Sequence, residues 1–409
     1  MQQHVLESID PKLLGRRLQV ARKARGLRQE DVAEALGAAR TTITAIEKGE
    51  RRVQPAELIT LAALYGRAVS DFVGKREAVE DFAAQFRGTL THPNQEQVQA
   101  DLAQGVQDFQ RLCEDYAFLD QVNEAALPRA YPPQYPVEGV SPEGAAEDVA
   151  SAERNRLGLG EGPVLNLREV LENDVGLRIF FLPLPSRVAG IFAYTELLGG
   201  CIAVNTAHPE ERRRWTMAHE YGHFLTNRFR PEISILAAYE RIPPAEGFAD
   251  AFAGVFLMPT SGLRRRFNES TRLTNGKVTA ADICRLADYY FVSVEAMMRR
   301  LEELRLLASG TWERLKDRGF KVRAARELLG LVARAHPDHL LPIRYRLLAV
   351  RAYQESKLTE GELAKLLRVD REQARRTVQE TTQQMYVSGE GEVESLSVDL
   401  ASTVAGQES

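Results

Sequence analysis

Cysteine is scarce in this sequence: Cys113, Cys201 and Cys284 are the only three in 409 residues. They are odd in number, widely scattered and form no CxxC pair, which argues against a disulfide framework or a cysteine-rich zinc site and suits a reducing cytosol. Long hydrophobic runs are missing too. No stretch approaches the roughly 18–20 apolar residues that span a bilayer, and the opening MQQHVLESIDPKLLGRR has no apolar core of signal-peptide length. The expectation is a soluble, cytoplasmic chain with no membrane partner. Neither sign of charge dominates: the net value is −4, which argues against nucleic-acid binding over the whole surface. The total hides a local excess, because residues 1–75 hold 13 Lys and Arg against 9 Asp and Glu, or +4.

What is present reads as several domains, since 409 residues exceed what one core organises. Residues 12–73 show apolar positions at helical spacing with breaks at Gly26, Gly37, Gly49 and Pro55, which predicts five short helices. Residues 76–126 continue helically, and 128–163 concentrate Pro and Gly and are expected to be irregular. The segments 177–183, 188–194 and 201–205 are β-prone and suggest a small sheet. Helices resume at Glu210, and a Thr cap at Thr279 opens a further amphipathic stretch, broken near Val292 and Ser293. The tail from Val387 holds five acidic residues and no Lys or Arg, a composition that predicts disorder.

Within RLQVARKARGLRQEDVAEALGAARTTITAIEKGERR a helix ends near Gly26, a second covers Gln29–Leu36, and Gly37-Ala38 turns into a third, the order of a helix-turn-helix. Gln29 opening the second helix and Ile43-x-x-Ile46-Glu47-x-Gly49 closing the third resemble the XRE/Cro family of repressor domains. That resemblance implies binding to a double-stranded DNA operator, with the third helix in the major groove. Arg40, Thr41 and Thr44 would then reach base edges, and Gln29, Lys48, Arg51 and Arg52 would lie near phosphates. Repressors of this type often pair two half-sites, so a homodimer is a further expectation.

The sequence ERRRWTMAHEYGHFL contains His219-Glu220-Tyr221-Gly222-His223. Four residues advance a helix by about 400°, so both imidazoles project from one face about 6 Å apart, a span that one Zn2+ can bridge. Glu220 is placed to act as the general base and acid. A catalytic zinc takes a third protein ligand. Glu246 is the candidate, 23 residues after His223, with Asp250 on the same helical face to accept the free N–H of a ligand histidine.

Arg214-Trp215-Thr216-Met217-Ala218-His219-Glu220-Tyr221-Gly222-His223 and Glu246-x-x-Ala249-Asp250-x-Phe252-Ala253-x-x-Phe256-Leu257-Met258-Pro259 resemble the signatures of the ImmA/IrrE metallopeptidases. Asp250 stands where that family usually has Asn. The resemblance spans residues 160–305 and implies a zincin-like, gluzincin-type fold, a zinc-dependent metalloendopeptidase and a protein substrate, a repressor whose cleavage relieves repression. The competing reading is a non-enzymatic sensor or antitoxin-like repressor in which the zinc domain adjusts DNA affinity. No oxyanion stabiliser stands out, with Tyr239, Tyr289 and Tyr290 as candidates; His208, His336 and His339 read as loop residues, and Cys201 and Cys284 as core hydrophobes.

The fold class expected is multidomain and mainly α. A helix-turn-helix bundle at 10–74 is followed by a helical segment and Pro/Gly-rich linker at 75–159. A central α+β domain with a small sheet occupies 160–305, then a helical C-terminal domain 306–386 and a disordered acidic tail 387–409. Inside LTEGELAKLLRVDREQARRTVQE, at 358–380, two helical patterns join at Arg368-Val369-Asp370. A second helix-turn-helix is conceivable there, but without a sharp family motif the expectation is a structural role.

Overall fold

Among the described residues, Asp10, Ser141, Thr279, Ser293 and Thr359 each accept a backbone N–H at the start of a helix. A computed structural model describes residues 9–67, 69–73, 82, 96–126, 129, 131–137, 139–230, 232–235, 243–273, 276–331, 340–387 and 393–397. Contacts divide it into one unit of residues 1–114 with 128–338 and a second of 115–127 with 339–409.

In the first unit, α1 (Pro11–Ala24) starts where the Asp10 carboxylate accepts the Lys12 N–H, with proline in the first turn where no N–H is needed. Next come α2 (Gln29–Leu36), α3 (Arg40–Glu47), α4 (Pro55–Tyr65) and α5 (Val69–Val73). Gly37 ends α2 in the left-handed region at φ 61°, a conformation that costs glycine little. Leu18, Val32, Ile43, Ile46, Leu58 and Leu61 form the core of this bundle. Inside it lies an ion pair. Arg22 meets Glu47 at 2.5 Å, and Gln29 Nε2 donates to the same carboxylate at 2.8 Å.

The helix α6 (Glu96–Val122) is followed by a segment expected to be irregular, and here the structure differs. Residues Pro142–Arg156 form α7, with Ser141 Oγ accepting the Gly144 N–H and Ala145, Ala146, Val149 and Ala150 buried. The proline sits in the first turn, where it favours a helix, so its count misled the reading by composition. After a short turn at Leu167–Glu169, running into a π-helical Val170–Val175, comes the sheet. Its strands β1 (Arg178–Leu182), β2 (Val188–Thr195), β3 (Gly199–Asn205) and β4 (Glu232–Ile235) lie in the order β1-β3-β2-β4. β1 runs parallel to β3, Ile179 opposite Ile202, and the remaining pairs are antiparallel. The sequence reading gave the first three strands but not β4.

Against β2 and β3 packs α8 (Glu210–Asn227), crossed by α9 (Pro244–Leu257). Gly222 permits that crossing, because a Cβ there would stand 3.2 Å from the Ala249 Cα. The helices α10 (Thr260–Leu273), α11 (Ala280–Tyr290), α12 (Val294–Glu303), α13 (Thr311–Asp317) and α14 (Val322–Leu328) complete the unit. Thr279 and Asp282 cap α11 reciprocally, and Phe291 at φ 55° with Ser293 breaks it from α12. Trp312, Phe320 and Leu329 pack on the central core, so residues 306–331 belong with it, and the separate C-terminal unit takes up the chain only from 339.

The second unit contains α15 (Ile343–Gln354), α16 (Glu360–Leu367), α17 (Arg371–Thr382) and a hairpin of β5 (Gln383–Val387) and β6 (Val393–Ser397). Arg344 donates to Asp120 at 2.5 Å, and the Tyr116 and Tyr345 rings meet edge to face at 5.4 Å. The hairpin corrects the expected disordered tail in part: Met385, Tyr386, Val393 and Leu396 are strand formers that outweigh the acidic composition. Tyr239, His336, His339 and the last residues of the tail lie outside the described residues. Among the described residues no helix is long and apolar enough to cross a membrane.

Burial alone would raise the Glu47 carboxyl, but hydrogen bonds from Arg22 and Gln29 hold it below its ordinary value. Its stabilising contribution is therefore full above the unfolded value and is lost as pH falls through the lower folded one. Replacing Glu47 with Ala leaves Arg22 buried without its partner and is expected to cost about 3 kcal/mol. Hydrogen-exchange protection across residues 11–65 checks this; equal protection in both proteins would refute it.

Candidate metal centre

The face of α8 that points into the molecule places Met217, Ala218, Tyr221, Phe224 and Leu225 in the core, and the polar residues His219, Glu220 and His223 are buried beside them. Burying three polar groups on one helix is costly unless each meets a partner. The second helix supplies partners. Glu246 in the first turn of α9 brings one carboxylate oxygen to 3.4 Å from His219 Nε2 and the other to 3.6 Å from His223 Nε2. The two Nε2 atoms are 3.1 Å apart. Donor atoms of His219, His223 and Glu246 all lie within 4.8 Å of one another.

The protonation pattern of this cluster follows from its neighbours. Asp250 Oδ1 lies 2.9 Å from His219 Nδ1 and also accepts from Trp215 Nε1 at 3.4 Å. A carboxylate there holds the imidazole proton on Nδ1, so the Nε2 lone pair turns toward Glu246 and His223. With that nitrogen deprotonated, three electron-pair donors face one another, so either a proton on His219 or a bound cation must join them. Burial alone would lower the His219 pKa; hydrogen bonds to Asp250 and Glu246 and the charge of Glu220 outweigh it, pushing it up to about 10. The cluster attracts a proton strongly when nothing else is bound. Zinc held at 2.0–2.1 Å by tetrahedral ligands separates them by about 3.3 Å, and the observed 3.1, 3.4 and 3.6 Å bracket that edge. Two imidazoles and a carboxylate are a donor set that fits zinc.

Glu220 is fully buried, close enough to His219 for its charge to act on that ring, and lies against β2 at Gly190, where a Cβ would stand 2.7 Å from Oε1. The centre is most open at α9, where the side chains of Glu246 and Asp250 are 14% and 58% exposed. Trp215 enters the sequence reading only as part of the signature around His219, with no role of its own, and Gly190 leaves no local signal beyond its place within a β-prone run. A buried network also fixes α8 to α7. Tyr221 donates to Glu153, which accepts from Tyr135 at 2.8 Å and pairs with Arg156 at 2.7 Å. The tyrosines considered for oxyanion binding are placed elsewhere, Tyr290 in the core and Tyr289 under the Arg266 guanidinium at 4.2 Å. His208 contacts the Ser186 carbonyl on an exposed loop.

In the N-terminal bundle Arg40 opens α3 with its side chain 64% exposed, held loosely to Glu30 at 3.2 Å. Thr41, Lys48 and Arg52 are exposed as well. Two residues differ from the placement expected at phosphates. Gln29 spends its amide inside the domain, donating to Glu47 and accepting from Thr44 Oγ1 at 3.1 Å. Arg51 forms two hydrogen bonds to Glu57, at 3.0 and 2.8 Å, which hold its guanidinium in place and raise its pKa.

These features define a helix-turn-helix bundle joined to a two-helix His-His-Glu centre. Residues 13–71 match a family described as a helix-turn-helix domain, and residues 172–302 match the M78 peptidase family, described as an IrrE N-terminal-like domain. The chain carries both domains on one polypeptide, and the first is a DNA-binding fold. No curated protein matches it. Among solved structures, ComR from Streptococcus suis aligns over 90% of this chain and 87% of its own at 10% identity, with a TM-score of 0.16. A score that low carries no argument.

The tight fit at Gly190 makes a specific demand. Gly190→Ala is expected to displace the Glu220 carboxylate or the Thr216 methyl, which a Cβ would meet at 2.7 Å each, and to cost about 1–3 kcal/mol. Gly162→Ala, where a Cβ would meet nothing within 4 Å, is the control. Thermal unfolding compares the two; equal midpoints would contradict the packing.

Proposed function

We propose that this protein is a DNA-binding transcriptional regulator whose central domain is a zinc-dependent endopeptidase acting on a partner protein, a repressor whose cleavage relieves repression. The observation that carries the reading is the convergence of His219, His223 and Glu246 donor atoms within 4.8 Å, with the Glu220 carboxylate buried beside them. A zinc ion bound there supplies Lewis acidity, which polarises a peptide carbonyl and acidifies water.

The remaining chemistry belongs to the protein. Asp250 orients the His219 ring, and Trp215 steadies Asp250 by its indole N–H. Glu220 takes a proton from the attacking water on a carboxylate oxygen and delivers it to the amine nitrogen as the C–N bond breaks. Gly190 lets that carboxylate lie against β2, because a Cβ there would stand 2.7 Å from Oε1. At the N-terminus, Arg40 and Thr41 at the exposed start of α3 read base edges, while Lys48 and Arg52 hold phosphates.

Glu220→Gln removes the proton acceptor but no metal donor. It is expected to retain about one zinc per chain and to lose roughly 100- to 10,000-fold in peptide hydrolysis. Cleavage of the partner at the wild-type rate would overturn the enzymatic reading. Asp250→Ala is expected to weaken zinc binding about 10- to 100-fold, read by competition with a chromophoric chelator. Unchanged affinity would remove Asp250 from the site.

A further inference from the structure

The second unit repeats the geometry of the N-terminal DNA-binding element. α2 covers eight residues, ends on Gly37 at φ 61° and ψ 33°, and gives way to α3 at Arg40. α16 also covers eight residues, ends on Arg368 at φ 58° and ψ 37°, and gives way to α17 at Arg371. The two turns close with the same pair of hydrogen bonds. Gly37 N donates to Glu34 O and Ala38 N to Ala33 O; Arg368 N donates to Lys365 O and Val369 N to Ala364 O. Three buried positions coincide in the same register, Val32 with Leu363, Ala33 with Ala364 and Ile43 with Ala374, while buried Ile46 falls on half-buried Thr377.

That register assigns outward residues as well. Arg371 stands where α3 has Arg40, and Arg375 where it has Thr44. Arg371, Arg375 and Arg376 are all exposed, the last two with 62% of the side chain open. Their ion pairs are loose: Arg375 is 3.9 Å from Glu360, and Arg376 is 3.3 Å from Glu372. Exposed pairs of this kind are worth little, so a phosphate can replace the carboxylate at small cost. At the turn, Arg368 holds a left-handed conformation that glycine adopts more readily, with its guanidinium 3.7 Å from Asp115. The hairpin region is acidic in sequence, with Glu390, Glu392 and Glu394, so contact with a polyanion falls to the helix.

We propose that α16 and α17 form a second helix-turn-helix that binds double-stranded DNA, with Arg371, Arg375 and Arg376 of α17 making the contacts. A charge count alone would not carry this, since the chain as a whole is acidic. The turn between α11 and α12 closes in the same way, so the proposal is carried by that turn together with the three buried positions in register and the exposed arginines at the matching outward positions. The inference is independent of the peptidase reading and stands or falls without it.

The test uses the full-length chain with Arg40→Ala and Lys48→Ala already in place, so that the first element is weakened. Fluorescence anisotropy follows its binding to a labelled random-sequence duplex of about 30 base pairs, between about 50 and 200 mM salt. Adding Arg371→Ala, Arg375→Ala and Arg376→Ala is expected to lower affinity at least about tenfold and to flatten the logarithmic salt slope by about 2–3. The corresponding Lys triple variant keeps the charge and is expected to keep most of the slope. Circular dichroism of the Ala variant checks that the unit remains folded, and if it does not, the Lys variant alongside an Arg375→Gln single variant decides. Affinity and salt slope unchanged by removal of the three charges would overturn the proposal, leaving α17 as a packing or protein-docking element.

Discussion

Three electron-pair donors turned inward on one another are the constraint around which the central domain is built. His219, His223 and Glu246 come from two helices, and their donor atoms lie within 4.8 Å of one another, close enough that a proton or a bound cation must be shared among them. The protein holds them there by means that are visible elsewhere in the fold. Gly222 lets α8 and α9 cross at short range, the buried Glu153 carboxylate ties α8 to α7 through Tyr221, and Asp250 fixes the His219 proton away from the centre. Each costs free energy by itself, through lost packing volume or desolvated charge, and each is offset by partners that satisfy the buried groups.

The same principle orders the N-terminal bundle at smaller scale. Glu47 is a buried carboxylate at the end of α3, and Arg22 on α1 and Gln29 on α2 converge on it. One acidic side chain thereby joins the three helices that position the exposed face of α3. Gln29 and Arg51 are taken up by internal partners, while Arg40, Thr41, Lys48 and Arg52 stay exposed.

How much of this could be read in advance depended on whether the signal was local. The spacing of His219 and His223 and of Glu246 and Asp250 is set by helical periodicity, so the sequence alone aligned them on common faces. The contact of Gly190 with Glu220 crosses from a strand to a helix and leaves no local periodic trace. The helix α7 was hidden by composition: Pro142 and Gly144 read as breakers, though the first sits where proline favours a helix and the second in a first turn capped by Ser141. The short edge strand β4 and the hairpin β5–β6 were missed because pairing partners, not propensity, make such segments strands. In α16 and α17 the sequence showed two helices and a joint, while the left-handed Arg368 that completes the turn became evident only in the backbone.

Zinc K-edge absorption spectroscopy on the metal-loaded protein tests the central claim most directly, because it reports the identity and distance of the atoms around the ion. Two imidazole nitrogens and a carboxylate oxygen at about 2.0–2.2 Å, in a four-coordinate shell, are the expected result. A shell containing sulfur at about 2.3 Å, or one lacking imidazole, would contradict the assignment of His219, His223 and Glu246 as the metal-binding set.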